Sequence, residues 1–358
     1  MSEPIVDVVI IGAGAAGAAA ACTLAPFASV ALIDRVAVPA WRIGETLPGA
    51  ARRVLTAIGA FERFAAAGHG IAPLKVSRWG SDDPAELDAM RDPDGMGWRI
   101  DRARFEADLR ADAKVRGAAF VAACVGDIRR LKDGWHVTLD DGMSVFARRL
   151  IDASGRRTSL MRKHGQRRMV MDRLACAYQR VPQPQASDTT TYIEACAEGW
   201  WYTAMLPDGD RIVAFHGDSG GAAMRDVLTT GPLMAARSLP ELKDVIGQVD
   251  PSQATPSMLC AANSVARSAA GEGWLAAGDS AIALDPLSSQ GLFNALTTGL
   301  EAGEATLALL DGDAAATGRY ATRMGRIWQA YCRHHALYYG MERRWRSAPF
   351  WARRMGVG

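Results

Sequence analysis

A glycine-rich turn near the start of the chain restricts the fold more than any other feature of the sequence. Residues 5–11 (IVDVVII) form a β-branched run typical of a parallel strand that is buried on both faces. GAGAAG follows, with glycines at Gly12, Gly14 and Gly17, and an alanine-rich stretch to Leu24 predicts a helix. In such a unit the first glycine permits the tight turn, the second admits a pyrophosphate and the third allows close helix packing. The pattern predicts a dinucleotide site at the N-terminus of the helix.

The second predicted strand supports this interpretation. Residues 30–33 are apolar and end at Asp34, which lies 20 positions after Gly14 and is placed to bind a ribose hydroxyl. Ala16 and Arg35 are further candidates for contact with the dinucleotide. A glycine turn without a ligand is the alternative, but the flanking strand and helix argue against it. The unit by itself does not distinguish FAD from NAD.

Composition excludes several other classes of protein. The chain has 358 residues, 49% apolar and 22% charged, as expected for a globular protein of one or two domains. A net charge of +2 gives no electrostatic reason to expect nucleic acid binding. The six cysteines contain no CxxC pair, so we expect reduced thiols and a cytoplasmic protein without a metal site. Glycines interrupt the apolar run at 8–24, so neither a secretory signal nor a membrane span is expected.

The remaining pattern predicts an alternation of helices and strands around two sheets. Residues 80–98 are rich in Asp, Pro and Gly and predict a loop that leaves the main sheet. Residues 166–218 predict a second, antiparallel sheet on the substrate side. The other predicted elements are helices at 49–68, 101–117 with Asp101 as N-cap, 220–247, 291 onward and 315–345, and strands at 134–140, 144–150, 151–155 and 274–277.

Three later motifs resemble those of the p-hydroxybenzoate hydroxylase fold. Residues 275–279 (LAAGD) and 285–291 (DPLSSQG) resemble its second FAD motif, in which the Asp, here Asp279, contacts the ribityl chain. The following helix starts beside the flavin pyrimidine ring, where its N-terminus stabilises negative charge. Residues 151–156 (IDASGR) resemble the DATGR turn, and 101–105 (DRARF) resembles a helix whose arginine approaches FAD. We expect that arginine to be Arg104 rather than Arg102.

The resemblance implies an α/β fold with a Rossmann-like FAD domain of the p-hydroxybenzoate hydroxylase or glutathione reductase type. An antiparallel-sheet substrate domain and C-terminal helices complete it. The expected parts are FAD-binding segments at 1–74, 99–165 and 266–312, a substrate-side excursion at 75–98, a substrate domain at 166–265 and C-terminal helices at 313–358. The candidate FAD-binding residues are Gly12, Gly14, Ala16, Gly17, Asp34, Arg35, Arg42, Glu45, Thr46, Leu47, Arg104, Val125, Ala153, Gly155, Gly278, Asp279, Pro286, Ser289, Gln290, Gly291 and Leu292.

Two segments narrow the resemblance to the flavin halogenase branch. Residues 44–48 (GETLP) resemble the GES-x-P signature of flavin halogenases and geranylgeranyl reductases, which lines the flavin. Residues 199–207 (GWWYTAMLP) resemble the GWxWxIP block of tryptophan halogenases, but Tyr202 replaces the second Trp. Lys75 stands where halogenases carry a lysine that handles hypochlorous acid, although a lysine at a strand edge is the simpler interpretation.

The form GWWYTxxLP is more similar to that of halogenase-like flavoproteins that mature protein-derived quinone cofactors, the glycine-oxidase and lysine-oxidase maturases. This resemblance implies a monooxygenase in which reduced FAD and O₂ oxidise an indole or a tryptophan side chain of a partner polypeptide. Trp200 and Tyr202 are candidates for the substrate pocket and His216 for a base, although packing in a core would equally explain Trp200 and His216. A second GxGxxG is absent, so NAD(P)H binding transiently or a separate reductase would supply electrons.

Three alternatives remain open at this stage. A flavin halogenase would use Lys75 in the substrate chamber, and a non-catalytic flavoprotein would only chaperone its partner. A reductase acting on an isoprenoid requires a long apolar pocket. The arginine- and aromatic-rich stretch at 319–354 is a docking surface for a partner, a nucleic-acid-binding surface or, by default, a helix packed on the main domain.

Overall fold

The computed structural model describes residues 5–88, 92–156, 160–184, 186 and 188–355. The strands in these ranges are β1 (Ile5–Ile11), β2 (Val30–Asp34), β3 (Thr46–Leu47), β4 (Gly70–Ala72), β5 (Leu74–Arg78), β6 (Ala85–Asp88), β7 (Gly97–Arg99), β8 (Ala119–Ala122), β9 (Val125–Leu131), β10 (Gly134–Leu139), β11 (Ser144–Asp152), β12 (Arg168–Val170), β13 (Leu174–Pro182), β14 (Thr191–Cys196), β15 (Gly199–Met205), β16 (Asp210–Asp218), β17 (Met258–Ala261), β18 (Val265–Arg267), β19 (Ala270–Gly271), β20 (Trp274–Ala276) and β21 (Ile282–Ala283).

The α-helices of the described ranges are α1 (Ala15–Leu24), α2 (Ala51–Ala57), α3 (Phe61–Ala66), α4 (Arg102–Val115), α5 (Ala222–Thr230), α6 (Pro232–Arg237), α7 (Pro240–Ile246), α8 (Gly291–Leu310), α9 (Ala316–Met341) and α10 (Pro349–Arg354). None of them is both long and apolar enough to cross a bilayer. The predicted helix N-cap at Asp101 is confirmed, because its carboxylate accepts a hydrogen bond from the Arg104 backbone N–H at 3.0 Å.

A first sheet is built around parallel strands in the order β20-β11-β1-β2-β8. Residues 8–11 of β1 are buried because strands pair with β1 on both sides and α1 packs against it. Strands β9 and β10 extend this sheet from β11 through antiparallel pairs. The predicted strand–glycine turn–helix–strand unit at 5–34 is therefore confirmed. The two strands predicted at 144–150 and 151–155 are one continuous strand, β11.

Helices α1 and α8 pack together at glycine contacts. A Cβ atom built on Gly299 would lie 2.3 Å from the Ala16 carbonyl oxygen, and one on Gly303 would lie 2.7 Å from the Thr23 Cβ. Only glycine allows the two backbones to approach this closely. The approach holds the middle of α8 against α1, from its first turn at Ala16 to Thr23.

A second sheet has the order β17-β13-β16-β15-β14-β5-β6 within the described residues. Its strands pair antiparallel except β14 with β5, so the predicted antiparallel sheet is largely confirmed. Side chains alternate between its faces, and Val213 and Phe215 pack with α5, α6 and α7 on the outer face. We call the opposite face the inner face. Its central residues are Cys176, Tyr178, Trp200, Tyr202 and His216.

The predicted loop at 80–98 contains two strands, so that prediction is partly wrong. Strand β6 adds to the edge of the second sheet by pairing with β5, and β7 pairs with β3 and β4. Local composition does not reveal these strands because their hydrogen-bond partners lie elsewhere in the sequence. Residues 89–91 of the predicted loop lie outside the described residues.

The C-terminal helices pack on both sheets, which explains much of the arginine- and aromatic-rich stretch at 319–354. One side of α9 is buried and includes Tyr320, Tyr331 and Tyr339. The Arg354 guanidinium binds the carboxylates of Asp172 and Asp218 at 3.2 and 3.0 Å. The stretch therefore packs against other parts of the same chain.

We predict that Gly299→Ala lowers the free energy of unfolding by about 1–3 kcal/mol, because the new Cβ has no room beside α1. Gly325→Ala is the matched control, since a Cβ at Gly325 of α9 meets nothing within 4 Å. The control should stabilise the helix by about 0.5–1 kcal/mol. Chemical denaturation measures both changes. Equal unfolding midpoints for the two variants would contradict the packing.

Candidate active site

The glycine turn at 12–17 combines tight internal packing with one open side. A Cβ on Gly12 would lie 2.3 Å from the Ala153 carbonyl oxygen, and one on Gly17 would lie 1.8 Å from the Gly12 carbonyl oxygen. Both glycines are therefore required by the protein's own backbone. A Cβ on Gly14 would meet only the Arg42 guanidinium, at 3.2 Å. The free side of Gly14 beside a cationic group fits an approaching pyrophosphate.

The Asp34 carboxylate lies at the end of β2 and organises the loop around it. It accepts hydrogen bonds from the backbone N–H groups of Ala13 at 2.7 Å and Val36 at 2.8 Å. Arg110, which the sequence reasoning missed, donates to the Ala13 carbonyl oxygen at 2.7 Å and lies 3.4 Å from Asp34. Arg35 is exposed and Val125 is half-buried at the start of β9. The predicted ribose position of Asp34 and Arg35 stays a prediction.

The second and third FAD-like motifs meet at the end of β11 and β20. A Cβ on Gly278 would lie 2.8 Å from the Ala16 Cβ, which places LAAGD against α1. The backbone N–H of Gly155 donates to the Ser280 Oγ at 2.8 Å. The Asp279 carboxylate lies 3.3 Å from the Arg156 guanidinium and is about one-third exposed. The segments at 151–156 and 275–279, more than 100 residues apart in sequence, thus form one wall of the predicted FAD site.

The start of α8 is the second helix N-terminus in this region. Pro286 begins a short turn, and Ser289 has a φ of +51°, a conformation that only strained or specialised loops give to a residue with a side chain. Gln290 and Gly291 follow, with Leu292 buried below them. Within the part of the chain that the structure describes, no side chain caps α8 or α1, and a Cβ on Gly291 meets nothing within 4 Å.

These features fit FAD. Two uncapped helix N-termini offer unpaired N–H groups and positive dipole ends to a pyrophosphate and to a reduced flavin ring. Gly14 and Gly291 leave the backbone accessible where those groups would lie. We infer from this fit that α1 holds the pyrophosphate and α8 faces the ring.

A buried group of ion pairs lies at the start of α4, where an arginine is expected to approach FAD. The Arg102 guanidinium donates to the Gly44 carbonyl oxygen at 2.8 Å and to Glu106 at 2.7 Å, and its side chain is 13% exposed. Arg42 also pairs with Glu106. Burial alone would raise the pKa of Glu106, but the two arginines outweigh it and lower that pKa. Arg104 is 55% exposed and pairs with Asp108, so the geometry favours Arg102 over the expected Arg104.

Glu45 connects the GETLP segment to the inner face of the second sheet. The Tyr202 hydroxyl donates a hydrogen bond to the buried Glu45 carboxylate. Arg99 lies 3.7 Å from the same carboxylate and donates to Tyr202 and Thr46, each at 2.8 Å, while Leu47 is fully buried. Burial raises the pKa of Tyr202, so the phenol stays protonated and donates. We call Glu45, Arg99 and Tyr202 the Glu45 network.

Lys75 lies beside the Glu45 network. It pairs across β5 and β14 with Thr191, whose hydroxyl accepts a hydrogen bond from Arg99. Alternation along β5 places Lys75 opposite to Val76, which packs on the outer face. Burial and then the charge of Arg99 lower the pKa of the Lys75 amine. Lys75 is therefore a half-buried lysine on the inner-face side.

Trp200 and His216 form a stacked pair in the core of the inner face. Their ring centroids are 3.6 Å apart with 6° between the planes, and both side chains are buried. Burial lowers the pKa of His216 to about 3, so the imidazole is neutral at pH 7 and a weak proton acceptor. This environment does not favour the expected role of His216 as a base, and Trp200 packs in the core.

A second polar link joins Trp200 to the start of the DPLSSQG loop. The Trp200 Nε1 donates to the Tyr339 hydroxyl at 3.2 Å, which donates to the Asp285 carboxylate at 2.7 Å. The His335 Nε2 lies 3.5 Å from the same carboxylate. Burial would raise the pKa of Asp285, but His335 and further hydrogen bonds lower it. The sequence reasoning missed Tyr339 and His335, since their contacts arise only when α9 packs on the loop.

We predict that Arg102→Ala weakens FAD binding by about 10- to 100-fold, because it removes charge-assisted hydrogen bonds that hold the GETLP segment. Arg104→Ala, the matched control on the same helix, should change the dissociation constant by less than about twofold. Titration of apoprotein followed by flavin fluorescence measures both. A larger loss for the Arg104 variant would restore Arg104 as the FAD-contacting arginine.

His216 should also make stability depend on pH. Its pKa is about 3 in the folded protein and about 6.5 in an unfolded chain, so only the unfolded state binds its proton between those values. The free energy of unfolding should therefore fall by up to about 1.4 kcal/mol per pH unit as the pH drops below about 6.5. Denaturation of His216→Gln at several pH values should give a shallower slope than the unchanged protein. Identical slopes would contradict a neutral buried His216.

Comparisons with known proteins identify the family of this chain. Residues 81–356 match the model of the tryptophan halogenase family. LodB of Marinomonas mediterranea, named as an FAD-dependent oxidoreductase, is 28% identical over 360 residues that cover 97% of this chain and 96% of LodB. A 1H-pyrrole-2-carbonyl peptidyl-carrier-protein brominase of Pseudoalteromonas luteoviolacea is 28% identical over 334 residues, which cover 88% of this chain and 81% of the brominase.

Solved structures confirm the predicted fold class. The myxobacterial chondrochloren halogenase CndH superimposes with a TM-score of 0.85 at 21% identity, covering 98% of this chain and 86% of CndH. The peptidyl tryptophan dihydroxylase QhpG superimposes with a TM-score of 0.81 at 24% identity, covering 99% of this chain and 79% of QhpG. The family match and the flavin dependence of these relatives confirm the predicted FAD cofactor. The chain belongs to the tryptophan halogenase family and is an FAD-dependent oxidoreductase.

Proposed function

We propose that this chain is a monooxygenase that oxidises the indole ring of a tryptophan residue in a partner peptide or protein, as a step in the maturation of a quinone cofactor. The observation that carries the proposal is the hydrogen bond from Tyr202 to Glu45. It joins the segment that resembles a flavin-lining motif to the inner face of the second sheet. A substrate held there would lie between the cofactor and Tyr202.

The Glu45 network suits an electron-rich, neutral ring. An indole N–H needs one acceptor, and the Glu45 carboxylate is a strong one. Accepting a hydrogen bond from this N–H raises electron density in the ring, which favours attack by an electrophilic oxygen. Arg99 balances the buried negative charge so that Glu45 is stable in a dry site.

The bound reduced flavin would supply the electrons that activate O₂. The chain's own residues keep water out and fix the orientation of the substrate. Trp41 and Ile43, just before GETLP, and Leu287 of the DPLSSQG loop pack against the inner face. The Trp41 ring lies 5.9 Å from that of Tyr178. These apolar contacts seal the junction between the two sheets.

The similarity to LodB over nearly the full length of both chains supports an oxidoreductase of this kind. The shared fold with QhpG, a peptidyl tryptophan dihydroxylase, supports a peptide-borne tryptophan as substrate. We propose NAD(P)H, bound transiently, or a separate flavin reductase as the electron donor.

Halogenation is the second candidate, and Lys75 is the observation that favours it. The residue is half-buried beside the Glu45 network, its pKa is lowered, and its place after GETLP resembles that of the halogenase lysine. The similarity to a brominase agrees with this candidate. Tyr202 in place of the second Trp of the halogenase block argues for oxygenation.

The two candidates predict different products from one experiment. The FAD-loaded protein is reduced, mixed with O₂ and a tryptophan-containing peptide, with and without bromide, and the peptide is analysed by mass spectrometry. We expect oxygen to be added in both cases, and Lys75→Ala to retain this activity. A bromine isotope pattern that Lys75→Ala abolishes would establish the halogenase instead. Absence of product from any indole substrate would favour a chaperone.

Tyr202→Phe should lower the rate of oxygenation by about 10- to 100-fold, because Glu45 loses a charge-assisted hydrogen bond. Tyr178→Phe, on the same inner face, is the matched control and should retain most of the activity. FAD content measured by absorbance separates a defect in turnover from loss of the cofactor. Equal rates for the two variants would remove the Glu45 network from the proposed site.

A further inference from the structure

Two cysteines far apart in the sequence face each other on the inner face. Strands β13 and β17 pair antiparallel with Cys176 directly opposite Cys260. The same cross-strand row continues to His216 and Trp200. The two thiols therefore form the end of the row that contains the stacked Trp200–His216 pair.

The pairing geometry is compatible with a bond between the two sulfur atoms. The Ala262 backbone N–H donates to the Leu174 carbonyl oxygen at 3.0 Å, which makes 174 and 262 a hydrogen-bonded pair. Pair types alternate along an antiparallel ladder, so Cys176 and Cys260, two positions further, form a pair of the same type with Cα atoms about 5.5 Å apart. Disulfides span Cα separations of about 4.4–6.8 Å.

The two thiols differ in environment in the way that a reactive pair requires. Cys176 is 1% exposed, whereas Cys260 is half-buried on β17, the edge strand of the sheet. A hydrogen bond from Cys176, and then the charge of Arg156, lower the pKa of the Cys260 thiol. Burial raises the pKa of Cys176. Cys260 is thus the accessible nucleophile, and Cys176 lies in contact to react next.

We propose that Cys176 and Cys260 form a reversible disulfide when hydrogen peroxide reaches the inner face. In the first step the Cys260 sulfur attacks one peroxide oxygen, the O–O bond breaks, and sulfenic acid and water form. In the second step the Cys176 sulfur attacks the Cys260 sulfur, the S–O bond breaks, and a second water leaves as the S–S bond forms. In total the two thiols lose two electrons, and one hydrogen peroxide accepts them and becomes two waters.

This site is independent of the proposed substrate. Hydrogen peroxide forms when two electrons and two protons reach O₂ without transfer of oxygen to an organic substrate, so a flavin enzyme that activates O₂ is exposed to it. The disulfide would fix β17 to β13 beside His216. Reduction by a dithiol would restore both thiols.

The test uses the whole FAD-loaded protein and added hydrogen peroxide. Thiols are counted in denaturant before and after treatment, and peptides are mapped by mass spectrometry without reduction. We expect the count to fall from the six cysteines of the sequence to four, with a linked peptide pair that contains Cys176 and Cys260, and to return to six after dithiothreitol.

Cys260→Ser should abolish the linkage, whereas Cys332→Ser, at a half-buried cysteine of α9, should retain it. Retention of all six thiols in the unchanged protein would overturn the proposal. So would a linkage between other cysteines, or overoxidation of Cys260 while Cys176 stays free to alkylate. These three contradicting outcomes are measured on the unchanged protein, so they require neither an identified substrate nor a variant that folds.

Discussion

The rest of this structure depends on close contacts at glycine, where the neighbouring segment leaves no room for a side chain. Gly12 lies against Ala153, Gly278 lies against Ala16, and Gly299 lies against α1. These approaches bring segments from the start, the middle and the last third of the chain into one wall. A single added Cβ would push the segments apart and displace the N-termini of α1 and α8, which we infer to contact FAD, from one another.

Two buried hydrogen-bonded links then connect that wall to the second sheet. Tyr202 reaches Glu45, and Tyr339 of α9 joins Trp200 to Asp285. Each link places one end in a segment expected to touch FAD and the other in or beside the inner face. Buried polar groups of this kind are costly unless fully paired, so they define how the sheet sits on the cofactor segments. The proposed substrate position follows from this arrangement.

Local sequence patterns predicted the elements that depend only on neighbouring residues. The strand, glycine turn and helix at 5–24 and the cap at Asp101 follow from short-range rules and are confirmed. Arg102 and Arg104 show the limit of such rules. Both lie in the first turn of α4, but the direction of a side chain depends on helix rotation against GETLP, which the motif does not contain. Strands β6 and β7 were missed for a related reason, because their partners are distant in sequence.

The sequence by itself indicated the cofactor: the glycine spacing and the order of strand and helix predict a dinucleotide site, and the resemblance of the Asp279 motif to that of known flavoproteins favours FAD. Only the tertiary structure decided which of these distant side chains lie next to one another. Strand register places Cys176 opposite Cys260 and His216 beside Trp200, and helix packing places Tyr339 on Asp285. Register depends on hydrogen bonds between residues far apart in the chain, and a shift of one position in a strand would turn the side chains of that strand to the other face.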